Sequence, residues 1–275
     1  MKIPVRQDRD FFILPVCNFF PPAPVLLLTK FASMKKIVVL SFVIIGLIVA
    51  CSCSFGLVCK EGTGGMKTEH RDVSSFSNIS LEMSAKVEIK QGSETAVSVT
   101  ASENLFKYID TRVKNNTLMI DVKDCNCLRS EGDIVIKVTT PSIHGLTVNG
   151  SGDIISEGRL QIDKLNCKIN GSGSISLMDL QADDYSIDIN GSGDVVLEGS
   201  SSKTGEININ GSGDVNTSKV ATSALVVNVS GSGDVTVKPT AALDVEITGS
   251  GDVRYYGTPA ISRHINGSGD VEQVK

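Results

Sequence analysis

The sequence predicts an all-β protein whose main part is a parallel β-helix, a solenoid of about 20 residues per coil. Three observations predict it. Gly-Ser-Gly occurs seven times, beginning at Gly150, Gly171, Gly191, Gly211, Gly231, Gly249 and Gly267, at spacings of 21, 20, 20, 20, 18 and 18 residues. A period near 20 held over seven copies marks an array whose repeats bury their apolar sides only by stacking on one another. Each copy is flanked on both sides by alternating apolar and polar residues, the period-two pattern of half-buried strands. No convincing amphipathic helix follows residue 51.

Taken in order, the chain begins with a segment that fits no export signal. Residues 1–33 carry Asp8, Asp10 and the break Pro21-Pro22-Ala23-Pro24, and are read as a mis-assigned upstream extension with translation starting at Met34. From Met34 the chain has two lysines, 13 mostly apolar residues from Ile37 to Val49, and then Ala50-Cys51. That order of charged, apolar and small residues is a signal peptide over 34–50. The apolar run is too short to span a bilayer, which needs about 20 helical residues. The ending Ile48-Val49-Ala50-Cys51 resembles a bacterial lipobox, which makes Cys51 the expected site of lipidation and the membrane a partner through a lipid anchor.

Residues 51–67, rich in Cys, Ser and Gly, read as a flexible tether. Residues 68–148 form an irregular, strand-rich lead-in. Ile79, Leu81 and Met83, then Val87 and Ile89, then Val97 and Val99 alternate with polar partners. Ile109, Thr111 and Val113 oppose Leu118, Ile120 and Val122 across Asn115-Asn116, a turn pair that tolerates positive φ. Ile134, Ile136 and Val138 make a further strand before Pro141.

In the array, residues 149–275, one strand precedes each Gly-Ser-Gly, as in Tyr185-Ile187-Ile189. A second starts four residues after its first glycine, at Ile154, Ile175, Val195, Val215, Val235, Val253 and Val271. Each coil therefore has two well-specified faces and a looser third one. The corner glycines are Gly150 and Gly152, Gly171 and Gly173, Gly191 and Gly193, Gly211 and Gly213, Gly231 and Gly233, Gly249 and Gly251, and Gly267 and Gly269. A chain that changes face between stacked backbones needs positive φ and no Cβ, and glycine supplies both.

Before the corner stand Asn149, Asn170, Asn190, Asn210 and Asn266, with Ser230 and Thr248 in the same column. Stacked amides are expected to hydrogen-bond along the rod. After the corner stand Asp153, Asp194, Asp214, Asp234, Asp252 and Asp270, with Ser174 in the second coil. Asp194, Asp214, Asp234, Asp252 and Asp270 are weak calcium candidates. Calcium-binding β-rolls have about half this period, and carboxylates about 4.8 Å apart in water repel by only about 0.9 kcal/mol. The expected role is structural, with no metal required. A phosphate-binding loop is excluded, because a strand rather than a helix follows every Gly-Ser-Gly.

Residues 51–275 carry 20 basic and 29 acidic residues, a net charge of −9, and the chain has no Trp and four Tyr. Such a surface offers neither a basic face nor aromatic platforms for nucleic acid. Export places the cysteines where disulfides persist. Cys125-Asn126-Cys127 is too tight for a zinc knuckle, the pairing among Cys53, Cys59, Cys125 and Cys127 is left open, and Cys167 reads as a buried free thiol. His70, His144 and His264 are scattered, and the basic residues after Asn149 share no column, so neither a catalytic triad nor a polysaccharide-lyase site is assembled. No catalytic residue and no cofactor is expected.

Several motifs in residues 68–275 resemble the family described as "putative auto-transporter adhesin, head GIN domain". They are Arg71-Asp72-Val73-Ser74-Ser75-Phe76, Ile109-Asp110-Thr111 before Asn116-Thr117-Leu118, and Leu146-Thr147-Val148-Asn149-Gly150-Ser151-Gly152-Asp153 with its later copies. The resemblance implies a right-handed β-helix on an exported lipoprotein and brings no catalytic residues. The resulting expectation is a non-catalytic envelope lipoprotein of the outer membrane, an adhesin or surface binding module whose faces take a glycan or protein ligand. A periplasmic scaffold or sensor is the rival, and a lyase-like enzyme the remoter one. End-to-end self-association through an unpaired strand edge is also expected.

Overall fold

The computed structural model describes residues 59–123, 127–130 and 132–275, all within one compact unit. The upstream extension, the signal peptide, Cys51, Cys53 and Cys125 lie outside the described residues. Among those residues there is no α-helix, only one 3-10 turn at Glu103–Leu105. The lead-in contains β1 (Lys60–Glu61), β2 (Met66–Arg71), β3 (Asn78–Leu81), β4 (Lys86–Gln91), β5 (Ala96–Ser102), β6 (Ile109–Lys114), β7 (Thr117–Val122), β8 (Leu128–Arg129) and β9 (Val135–Thr140). The array contains β10 (Gly145–Gly150), β11 (Asp153–Ser156), β12 (Leu160–Gly171), β13 (Ser174–Gly191), β14 (Asp194–Gly211), β15 (Val215–Gly231), β16 (Val235–Gly249), β17 (Val253–Tyr256), β18 (Ala260–Gly267) and β19 (Val271–Val274).

Successive coils pair in parallel and in register on both sides of the corner. Before it, Leu146 aligns with Cys167, then Ile187, Ile207, Val227 and Val245; after it, Ile154 aligns with Ile175, and Val195 with Val215 and Val235. These inward columns are buried to 2% exposure or less. Full burial of a Val or Ile side chain is worth about 1.5–3 kcal/mol, and β-branched side chains suit the pleated surface. The third face is also extended, which the looser sequence pattern did not foretell. Leu160 aligns with Leu180 and Gly199, and Ser201 with Ala221. The register shifts fall there, between Leu177 and Leu180 or Asn216 and Ala221, so this face absorbs the variation in repeat length.

The lead-in is more regular than its sequence pattern. Its strands extend the same stack, with β3 and β4 pairing in parallel with β10 and β11, so that Ile79 lies beside Leu146 and Val87 beside Ile154. β7 and β9 form the next layer out, although they follow β3 and β4 in the chain. Antiparallel strands then cover that layer, β6 on β7 and β5 on β9, with β2 on β5. Hairpin strands thus occupy an edge that would otherwise expose a row of unpaired backbone groups. The β6–β7 turn uses Asn115 and Asn116 at φ 50° and 61°, both positive as a two-residue hairpin of this type requires. A disulfide joins Cys59 to Cys127 and holds β1 against β8.

At the corner the two glycines serve different needs. Gly191 has φ +137°, a conformation side chains rarely adopt, and a Cβ there would collide with the Gly171 carbonyl oxygen. A Cβ on Gly193 would strike the Gly173 carbonyl oxygen and come within 2.6 Å of Ile169 Cγ2. Gly191→Val and Gly193→Val are each expected to lower the unfolding free energy by roughly 3 kcal/mol. Gly65→Ala, where a Cβ meets nothing within 4 Å, serves as the neutral control. Thermal melts of the three variants decide it, and unchanged midpoints for both valine variants would contradict the stacked corner.

Candidate functional site

Stacking brings the repeated side chains into columns. Asn170 Nδ2 donates to Asn149 Oδ1 at 2.7 Å, Asn190 Nδ2 to Asn170 Oδ1 at 3.2 Å, and Asn210 Nδ2 to Asn190 Oδ1 at 3.4 Å. Asn149 Nδ2 in turn donates to Glu82 Oε1 at 2.7 Å, carrying the row into the lead-in. Ser230 and Thr248 interrupt the amides before Asn266. A second row lies two residues upstream, where Asn208 Nδ2 donates to Asp188 Oδ1 at 3.0 Å and Asn228 Nδ2 to Asn208 Oδ1 at 2.9 Å. Aligning the repeats on their glycines places those three residues together, although no single residue type marks the column.

The aspartates after the corner are engaged from coil to coil. Asp194 Oδ1 accepts the Asp214 backbone N–H at 3.1 Å, and the same bond recurs from Asp234 to Asp214 at 2.8 Å, Asp252 to Asp234 at 3.1 Å and Asp270 to Asp252 at 3.0 Å. Arg254 lies 3.4 Å from Asp234 and 3.6 Å from Asp252. Among the described residues no three His, Cys, Asp or Glu side chains converge where they could hold a metal ion.

The three histidines fall at separate places: His70 on β2, His144 just before β10, and His264 on β18. Burial pushes the Cys167 thiol up to about 12, which keeps it an unreactive core side chain.

A long concave surface runs along the face before the corner, where it meets the third face. It is a groove of about 730 Å³. One wall is the column Lys164, Asp184, Thr204, Ala224, Ala242 and Ala260, and the other is Asn166, Ser186, Glu206, Val226, Asp244 and Ser262. Five strand spacings of about 4.8 Å give it a length of roughly 24 Å.

Val226 and Ile261 in this groove are 42% and 40% exposed, unusually open for large apolar side chains on this rod. A smaller hollow of about 500 Å³, lined by Asn78, His144 and Gly145, shares Lys164 and Asn166 with it and continues toward the lead-in. Gly205 lies in the inward column, where a Cβ would meet the Tyr185 ring at 2.5 Å and Leu225 Cδ1 at 2.7 Å. Beneath it the Tyr185 hydroxyl is satisfied inside the coil by those of Thr222 at 3.0 Å and Thr217 at 3.4 Å.

The bonding of the aspartate column separates a structural role from a metal-binding one. Asp214→Asn keeps an oxygen that can accept the Asp234 N–H and is expected to leave stability within about 0.5 kcal/mol, whereas Asp214→Ala should cost about 1 kcal/mol. Denaturant titrations measure both. Melting in calcium and in chelator should coincide, and a clear rise with calcium would overturn the structural assignment.

Residues 75–259 match the family described as "Putative auto-transporter adhesin, head GIN domain". No curated protein matches the chain. Among solved structures, a "putative adhesin" from Bacteroides fragilis is 24% identical, with a TM-score of 0.74 over 78% of this chain and 100% of the other. A "putative lipid binding protein" from Parabacteroides distasonis is 28% identical, with a TM-score of 0.69 over 78% and 99%. A "putative adhesin" from Parabacteroides merdae, 23% identical, has a TM-score of 0.64 over the same shares and adds agreement in fold. The family match spans more than half of the chain and coincides with the stacked coils, and the protein is therefore a member of the head GIN domain family.

Proposed function

We propose that the protein is a non-catalytic binding module of the cell envelope, an adhesin that engages a protein or glycan through a side face of its solenoid. The observation that carries this reading is the long groove with exposed Val226 and Ile261, because an open apolar strip on a rigid stack is what a binding surface requires. Membership of a family described as adhesins supports it. Export through residues 34–50 and lipid attachment at Cys51 would hold the protein in the outer membrane; within the expected 51–67 tether, Cys59 is tied to the lead-in by the disulfide and residues 60–61 and 66–67 are strand. Lipid binding is a second reading, favoured by the apolar groove and by the description of the Parabacteroides distasonis neighbour.

End-to-end association has a built-in opponent. β18 pairs in parallel with β16, and Arg263 takes the position of the inward Val245. Pairing over β18 would bury that guanidinium, and inward charges on outer strands discourage such pairing. Sedimentation at high protein concentration should show monomer for the native chain and larger species for Arg263→Val. Native oligomers would overturn this.

Protease or antibody access to residues 194–275 on intact cells, with lysed cells as the control for total protein, tests the main reading. Access from outside is the expected outcome. Protection until lysis would replace adhesion with a periplasmic scaffold or sensor role.

A further inference from the structure

We propose that the groove takes a cationic, amphipathic polypeptide segment, one whose apolar side chains are flanked by Lys or Arg. This rests on the surface-binding reading and names its site and the chemistry of its partner. The two walls carry an apolar patch where Ala224 and Ala242 in one face the exposed Val226 in the other. Carboxylates stand in both walls: Asp184 in one, Glu206 and Asp244 in the other.

None of these three forms a salt bridge among the described residues. Elsewhere the rod pairs its charges between neighbouring coils, as in Arg159 with Asp179 at 3.3 Å, Lys203 with Asp183 at 2.9 Å and Lys219 with Glu198 at 2.7 Å. Asp184 accepts the Thr204 hydroxyl and lies within the field of the Lys203 ammonium, whereas Glu206 accepts only the Asn208 amide, a neutral donor that leaves its negative charge uncompensated. Lys164, at the lead-in end, is the one cation in the groove's walls.

Two classes of ligand fit this chemistry less well. Fatty acids and anionic lipids would bring their own negative charge against Asp184, Glu206 and Asp244. A glycan would look for aromatic platforms, yet Tyr185, the one aromatic residue of the groove, is 3% exposed and turned into the coil. The strands beneath have spent their backbone N–H and C=O groups on the coils above and below, so a partner cannot add as a further strand. What remains is side-chain contact with the apolar patch plus attraction to the carboxylates beside it. This combination gives a helix-in-groove type of recognition its affinity and its register.

The test uses the full chain in phosphatidylcholine nanodiscs, with empty nanodiscs as the blank. The probes are a synthetic amphipathic Leu/Lys peptide, its Leu/Glu counterpart, and a fluorescent fatty acid, all read by fluorescence. The Leu/Lys peptide should bind at least about tenfold more tightly than the Leu/Glu peptide and weaken as salt is added. The double variant Glu206→Lys/Asp244→Lys should lose about tenfold or more in affinity, while Glu272→Lys, on the other side of the corner, should stay within about twofold of the native chain.

If the double variant does not fold, Val226→Asn must weaken binding without any change of charge. Equal binding of the two peptides, or undiminished binding by these variants, overturns the proposal. Fatty-acid binding without peptide binding overturns it in favour of lipid. If the groove variants leave cell adhesion intact while loss of the whole protein abolishes it, the groove assignment fails and the surface-binding reading stands.

Discussion

The structure depends on how closely one coil's backbone can lie upon the next at the corner. Parallel pairing fixes the strand separation, and a chain that turns from one face to another at that separation has no volume for a side chain pointing along the stack. The carbonyl oxygens of Gly171 and Gly173 occupy the space where side chains on Gly191 and Gly193 would project, and the same relation recurs up the array. Once the corners stack without offset, every residue on either side acquires a fixed partner above and below. The inward columns of Val, Ile and Leu then interlock as continuous stripes, and the outward positions become columns of like residues.

Those outward columns show how a repetitive protein handles repeated polar groups. Amides in a column serve as donor and acceptor at once, so Asn149, Asn170, Asn190 and Asn210 satisfy one another. Carboxylates cannot do that, and Asp194, Asp214, Asp234 and Asp252 instead accept the backbone N–H of the next coil. A hydrogen bond to a charged acceptor is stronger than one between neutral groups, which offsets the modest repulsion between neighbouring carboxylates. The groove carboxylates Asp184, Glu206 and Asp244 have no such backbone donor and keep their charge directed at solvent. The same residue type is thus tied into the stack at one place on the coil and left open to solvent at another.

The two ends of the stack are treated differently. At the lead-in end, hairpin strands and a disulfide close the sheet over a layer whose order in space departs from its order in the chain. In β18 the inward column carries Arg263 and an exposed Ile261 instead of fully buried aliphatic residues. The groove lies on the side of the rod, where neighbouring columns differ from coil to coil.

The array was legible in the sequence because its determinants are local and repeated. The Gly-Ser-Gly period, the period-two strands beside it and the Asn115-Asn116 turn each follow from steric rules acting over a few residues. The opposition of Ile109 to Val122 and of Val113 to Leu118 could be read off in the same way. Which of the lead-in strands lay beside β10 could not, since Ile79 and Leu118 carry the same alternating pattern and only packing ranks them.

The partner of Cys59 was likewise open until the fold brought β1 to β8. The groove had no sequence signal at all. Ala224, Val226 and Asp244 are ordinary strand residues on separate repeats, and they become one surface only when the third face fixes how far each coil turns. Sequence alone determined the coil, its corner and its core, because those depend on what each residue can tolerate locally. The tertiary structure decided the capping order, the disulfide and the groove, because those depend on which equivalent strands become neighbours.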